Sequence, residues 1–174
     1  RRLMRYVIPV ALLLGLLALL AVGLRQDPSL VPSPRIGKAA PEFALPMLED
    51  PQQTLTPAAL SGRPVLVNFF ASWCAGCQVE HPLLMRLAGE GVEIVGLDYK
   101  DEPQAARRWL QRHGNPYRII AQDRDGQAGL DWGVYGVPET YVLDADGSIV
   151  YKQVGPLTEQ AWEQHIRPLL GRTS

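Results

Sequence analysis

Two cysteines, and no others, stand in Ser72-Trp73-Cys74-Ala75-Gly76-Cys77, immediately after the apolar run Val65-Leu66-Val67-Asn68-Phe69-Phe70-Ala71. Without a third thiol no structural disulfide can form elsewhere, so the two sulfurs react with each other or with a partner molecule. The run before them has strand length and is apolar on both faces, as a strand buried inside a sheet requires. From Cys74 to Leu87 the apolar residues Val79, Leu83, Leu84 and Leu87 recur at helical spacing, with Pro82 inside as an expected kink. The cysteines therefore fall where a central strand hands over to a helix. Separated by three positions in the first turn, they share one face. Cys74 sits at the helix N-terminus, where unpaired amides and the helix dipole stabilise a thiolate. That thiolate can attack a disulfide, and Cys77 can resolve the mixed disulfide that results.

Around this junction, strand-like and helix-like segments alternate. Phe43 to Leu45 and Thr54-Leu55 read as short strands, Pro57 to Leu60 as a helical turn, and Val92 to Leu97 as a second buried strand. Pro103 to His113 predicts a helix ended by Gly114-Asn115-Pro116. Arg118 to Ala121 suits a short strand, and Gly126 to Trp132 a weak helix. Thr140 to Leu143 and Ile149 to Val154 flank the hairpin signal Asp144-Ala145-Asp146-Gly147, and Glu159 to Leu170 predicts a last helix. The pattern is an α/β fold with a mixed central sheet flanked by helices.

Residues 7–24 are uninterrupted apolar, and Pro9 falls in the first turn, where it costs little. As a helix they would span about 27 Å, near the hydrocarbon thickness of a bilayer. The stretch exceeds the roughly 7 to 15 residues of a signal-peptide core, so an anchor over residues 1–25 is the expectation, ahead of a cleaved signal. Arg1, Arg2 and Arg5 precede the span and only Arg25 follows closely, which places the N-terminus in the cytoplasm and the body outside. Residues 26–38, with Pro28, Pro32, Pro34 and Gly37, suit a semi-extended linker, leaving residues 39–174 as the domain. Those arginines also conceal the charge of the body: past Arg25 the chain carries 13 basic against 18 acidic residues, which gives no concentrated basic face for nucleic acid.

Other uses of two cysteines fit less well. A metal site needs more ligands, and only His81 is near. Covalent haem attachment needs His where Gln78 stands. Glu80 follows Cys77 by one helical turn, so its carboxylate can lie beneath the thiols. As a lone helix glutamate it would ordinarily be exposed, but between Pro64 and Leu84 only His81 is another titratable group besides the cysteines. Glu80 is therefore the candidate proton acceptor for Cys77.

The stretch around the pair resembles the thioredoxin superfamily. Gly133-Val134-Tyr135-Gly136-Val137-Pro138-Glu139-Thr140 is similar to the signature of DsbE/CcmG-type proteins, the membrane-anchored thiol:disulfide reductases of cytochrome c maturation. Glu80-His81-Pro82, Tyr99-Lys100-Asp101 and Gly114-Asn115-Pro116-Tyr117 match that family too. The resemblance runs through anchor and domain and implies a thioredoxin-like fold. It implies a cis-proline at Pro138 opposite the cysteines, with the Val137 backbone free to pair with an incoming polypeptide. Trp73 would cover one side of that groove. Where the thioredoxin pattern has a buried Asp, this chain has Asn68, which cannot accept a proton and leaves the task to Glu80. Glu139 would project near the thiols, and with Glu80 would raise the Cys74 pKa and make the protein a reductant. The Ala75-Gly76 dipeptide departs from close relatives, which carry proline there, and predicts a looser helix start.

The implied activity is reduction, in the periplasm and on the bacterial inner membrane, of a disulfide in apocytochrome c or a cytochrome c maturation protein. A DsbD/CcdA-type membrane electron donor would re-reduce the chain. Catalysis would use Cys74, Cys77 and Glu80, with Trp73, Val137, Pro138 and Glu139 facing substrate and tuning the thiols, and no cofactor or metal. The alternatives are a general extracytoplasmic reductase like the TlpA/ResA proteins and a thiol-dependent metal or haem chaperone.

Overall fold

The computed structural model describes residues 4–23 and 33–171. The chain divides into two units, Arg1–Leu30 and Val31–Ser174. In the first, α1 (Met4–Gly23) is a helix containing Pro9. Among the described residues no helix is long and apolar enough to cross a membrane. The segment expected to span a bilayer is thus met as a helix and not as a demonstrated span.

The second unit is built on a five-stranded sheet, with β3 (Val65–Phe70) at its centre. In sheet order the strands run β5 (Ile119–Asp123), β4 (Ile94–Tyr99), β3, β6 (Glu139–Leu143) and β7 (Ile149–Val154). The first three are mutually parallel, and β6 and β7 are antiparallel additions. The parallel pairs need helical crossovers, supplied by α2 (Ala75–Gly89) and α3 (Pro103–His113). Between β6 and β7 a turn suffices, with Asp144 Oδ1 accepting from the Asp146 and Ser148 amides. A two-stranded arm, β1 (Leu45–Pro46) and β2 (Thr54–Leu55), and a 3-10 turn at Pro57–Leu60 precede the sheet. The short α4 (Gln127–Trp132) links β5 to β6. The last helix, α5, opens at Glu159–Ala161, widens into a π turn over Trp162–Ile166 and closes over Arg167–Leu170.

Every residue of β3 is buried, so both faces of the sheet carry core. Leu66 and Phe70 pack on one face with Leu84 and Leu87 of α2, Trp109 of α3 and Trp162 of α5. Val65, Val67 and Phe69 pack on the other with Leu55, Leu60, Trp132 and Tyr141. Side chains alternate along a strand, so β3 sends Asn68 and β6 sends Thr140 to the α2 face, while Phe69 of β3 and Glu139 of β6 point to the opposite one. The expected linker, 26–38, lies partly outside the described residues. Its final residues join the body: the Gly37 amide donates to the Ile149 carbonyl and the Ile149 amide to the Lys38 carbonyl.

Candidate active site at the strand-to-helix junction

β3 ends at Phe70, and four residues later Cys74 caps α2 in an extended conformation. Its sulfur accepts from the Cys77 amide at 3.0 Å, one of the donors that a helix start leaves unpaired. Cys74 and Cys77 form a disulfide with Cα atoms 5.3 Å apart. Both are buried, while Trp73 beside them is 60% exposed and donates from its indole Nε1 to the Lys100 carbonyl at 3.1 Å. Opposite the pair, the Val137–Pro138 bond is cis, as the resemblance implies.

The Ala75-Gly76 dipeptide has a steric reason that sequence did not show. A Cβ on Gly76 would lie 2.9 Å from Pro138 Cδ and 3.4 Å from Pro156 Cγ. Glycine at this position therefore admits the proline against the helix start rather than merely loosening it.

Glu80 is 1% exposed, one turn beyond Cys77. Its Oε1 accepts from Asn68 Nδ2 at 2.8 Å and its Oε2 from the Leu157 amide at 2.6 Å. Asn68 is held in turn: the Tyr117 hydroxyl donates to its Oδ1 at 2.8 Å, and its Nδ2 also reaches Thr140 Oγ1 at 3.0 Å. Burial pushes the Glu80 carboxyl up to about 7, against the lowering effect of the Leu157 amide and the Asn68 donor. Asn68 thus acts as the donor that aims and partly stabilises the acid. His81 serves packing: Nε2 donates to the Gly114 carbonyl at 3.1 Å, and its ring meets Trp109 edge-on at 4.5 Å.

Glu139 is not brought to the thiols. Alternation along β6 turns its side chain to the face opposite α2, where Oε2 pairs with Lys152 Nζ at 3.0 Å, both side chains 1% exposed. Tyr135 donates its amide to Oε1 at 2.8 Å, and the Tyr141 hydroxyl donates to Oε2 at 3.1 Å. Lys152 also donates to the Gly133 carbonyl at 2.7 Å and lies 4.3 Å from the Tyr135 ring centroid. The carboxylate expected to act on Cys74 is instead compensated by an ammonium and fastens the 133–138 loop that carries Pro138. Lys152 was not singled out from sequence, and Tyr117 and Thr140 stood in the matching motifs without an assigned role. The signal available for Lys152 was its place in a strand two residues from Val150 and Val154, where a lone Lys must pair or face water.

The Cys74–Cys77 disulfide, the helix start beneath it and the cis-proline opposite make a thiol–disulfide exchange centre. Residues 35–166 match the redoxin family. Over 97% of its length the chain is 50% identical to thiol:disulfide interchange protein DsbE of Allochromatium vinosum, covering 93% of that protein. The chain belongs to the DsbE-type thiol:disulfide interchange proteins. The DsbE of Pseudomonas aeruginosa is 47% identical, with 93% of this chain and 90% of that one aligned. Among solved structures, a Chlorobium tepidum chain assigned as a thiol:disulfide interchange protein DsbE superposes with a TM-score of 0.67 at 27% identity, over 80% of this chain and all of that one. A Neisseria meningitidis chain assigned as a thioredoxin gives 0.66 at 24% identity over 78% and 91%, which shows the shared fold. The family members are thiol:disulfide oxidoreductases, and this chain carries the cysteine pair that the activity needs.

Proposed function

We propose that this chain works as a reductant in the periplasm, tethered by α1 to the inner membrane, and reduces a disulfide of apocytochrome c or of a cytochrome c maturation protein before haem attachment. The backbone of α1 continues helical over 20 residues, Met4–Gly23, about 30 Å, and the arginines that precede its apolar stretch favour a cytoplasmic N-terminus. A DsbD/CcdA-type membrane protein would restore the dithiol.

The observation that carries the reductant reading is the buried acid behind the pair. In the reduced chain the Cys74 thiolate attacks one sulfur of the client disulfide. That S–S bond breaks, a Cys74–client bond forms, and the other client sulfur leaves as a thiolate and takes a proton. Cys77 then gives its proton to Glu80 and attacks Cys74 Sγ. The mixed disulfide breaks, the second client thiol is released, and the Cys74–Cys77 disulfide forms, so two electrons have passed to the client. A carboxyl near 7 is matched to this transfer at neutral pH. In the disulfide form Cys74 Sγ accepts from the Cys77 amide, and in the reduced chain this helix-start amide, with no lysine or arginine beside it among the described contacts, would be a modest stabiliser of the thiolate. A thiolate so placed favours the disulfide form, which is what a reductant needs. Trp73, exposed beside Cys74, and the Val137 backbone ahead of Pro138 would meet the client chain.

A Cys77→Ala variant should hold its client on Cys74 as a stable mixed disulfide. Recovery of an apocytochrome c or a maturation protein, with loss of c-type cytochromes on deletion of the gene, supports the reading. A broad set of unrelated clients with unaffected cytochromes would replace it with the general reductase.

A further inference from the structure

We infer that Tyr117 is a positioning residue for the buried acid: its hydroxyl holds the Asn68 amide with the nitrogen toward Glu80, so that the carboxylate which receives the Cys77 proton keeps its donor. The inference rests on Glu80 as the proton acceptor of Cys77 and is independent of the client proposed above.

Tyr117 comes from outside the helix that carries the thiols. It follows the turn that ends α3, where its amide donates to Asn115 Oδ1 at 2.9 Å. Its ring stacks on Phe70, with centroids 4.6 Å apart and planes 21° from parallel. The ring reaches Asn68 past β4, at a position that a side chain would block. Gly96 stands opposite Asn68 in the β3–β4 register, and a Cβ there would lie 2.9 Å from both Phe70 Cε1 and Tyr117 Cγ. At the end of this path the Tyr117 hydroxyl donates to Asn68 Oδ1 at 2.8 Å. The two Asn68 Nδ2 hydrogens are left for Glu80 Oε1 at 2.8 Å and Thr140 Oγ1 at 3.0 Å.

A primary amide turned end for end keeps nearly the same shape, so sterics alone do not orient Asn68. What orients it is the hydrogen on the Tyr117 oxygen. Turned round, Asn68 would set Oδ1 against the Glu80 carboxylate, acceptor against acceptor. It would also leave the Tyr117 hydrogen buried without a partner, since that hydroxyl makes no other hydrogen bond among the described residues. Without the hydroxyl only the first penalty remains, and a proton on Glu80 abolishes it, because the protonated carboxyl donates to the turned Oδ1. Removing the hydroxyl therefore lets the amide turn and holds the proton on Glu80 more tightly. The other groups around the acid do not supply this control. On α2 its titratable neighbours are Cys77 and His81, and His81 Nε2 is engaged by the Gly114 carbonyl. β3 and β6 present the neutral Asn68 and Thr140, and the segment ahead of α5 presents the Leu157 amide. Tyr117 itself stays protonated, because burial first, and then the Glu80 and Asp98 charges, push its hydroxyl well above its ordinary value. Asp98, buried on β4, is thus the other carboxyl acting on the cluster. No lysine or arginine is among the groups that shift Glu80.

The test follows resolution of a mixed disulfide between Cys74 and a peptide thiol on the full-length chain, from about pH 5 to 9. It compares the parent with Tyr117→Phe, Asn68→Ala, their double variant and Glu80→Gln. Tyr117→Phe should move the inflection of the rate upward by about one pH unit, which makes resolution about eightfold slower at pH 6.5 and lets it approach the parent rate at the alkaline end. In the Asn68→Ala background the same substitution should move nothing, because Tyr117 acts through the amide. A Tyr117→Phe profile lowered by one factor at every pH, with the inflection where the parent has it or below, would make the hydroxyl merely structural and overturns the proposal. An equal upward shift with and without Asn68 overturns it too. Glu80→Gln separates this failure from that of the acceptor role. If Glu80→Gln loses the inflection while Tyr117→Phe keeps it unmoved, only Tyr117 falls; if Glu80→Gln matches the parent, both fall.

Discussion

Glu80 and Glu139 are both fully buried, on adjacent elements of one fold, and they do opposite things. On the α2 face, Glu80 meets only neutral donors, the Asn68 amide and the Leu157 N–H, so burial dominates and its proton is held until about pH 7. Across the sheet, Glu139 meets Lys152 at 3.0 Å together with Tyr135 and Tyr141 donors, and an ion pair results. Whether a buried carboxyl becomes a proton carrier or a fastener is decided by whether the partner carries charge. One residue of strand register separates the two outcomes, since Thr140 joins the Asn68 side and Glu139 the Lys152 side.

The largest effect should come from breaking the fastener. Lys152→Met leaves a buried carboxylate without its cation and should lower stability to denaturant by about 3–5 kcal/mol. Adding Glu139→Gln to it should recover most of the loss, because the pair is then replaced rather than broken. Similar losses in the single and double variants would mean that Lys152 acts through packing and not through charge.

A smaller effect, of about 3 kcal/mol, should appear as a pH dependence on the other face. The folded value of Glu80 lies above its ordinary 4.5, so the folded state binds the proton more tightly. Its contribution to stability is complete below about 4.5 and is lost as pH rises through about 7. Asp98 adds a loss in the same direction, from its ordinary 3.8 to about 8. Denaturation midpoints should therefore decline from pH 4 to 8, and Glu80→Gln should remove its share of the slope. An unchanged slope in Glu80→Gln would show that the acid is not protonated in the folded chain.

The smallest effect is on the thiols themselves. In the reduced chain, Glu80→Gln should move the thiolate absorbance titration of Cys74 measurably, and Glu139→Gln should move it less, because Lys152 neutralises the charge that is removed. A larger movement in Glu139→Gln would restore the tuning role that its sequence position suggested.

Much of this fold was legible because its signals are local. β3 is a six-residue apolar run, α3 begins at Pro103 and ends before Gly114, and the β6–β7 turn carries Asp144 and Gly147. The cysteine pair and Glu80 were legible because three-residue spacing on a helix puts them on one face. What escaped depends on strand pairing. Lys152 reaches Glu139 because β7 lies beside β6 with Tyr141 opposite Lys152, and Tyr117 reaches Asn68 across 49 positions of sequence. Asp98 was hidden at the end of a run read as apolar strand, although its spacing of two from Gly96 places it on the helix-covered face. In sequence Gly76 reads as a weak helix start, because the proline that requires it, Pro138, lies 62 positions away and meets it only in the fold.

The account turns on Glu80 taking the Cys77 proton, and the resolution step measures that directly. A mixed disulfide between Cys74 and a peptide thiol, formed in single turnover on the full-length chain, can be followed as Cys77 displaces the peptide. In the parent the rate should rise with pH through an inflection near 7. Glu80→Gln should lose that inflection and fall about a hundredfold at neutral pH, while initial attack by Cys74 changes little. Superimposable resolution profiles for parent and Glu80→Gln would contradict the account.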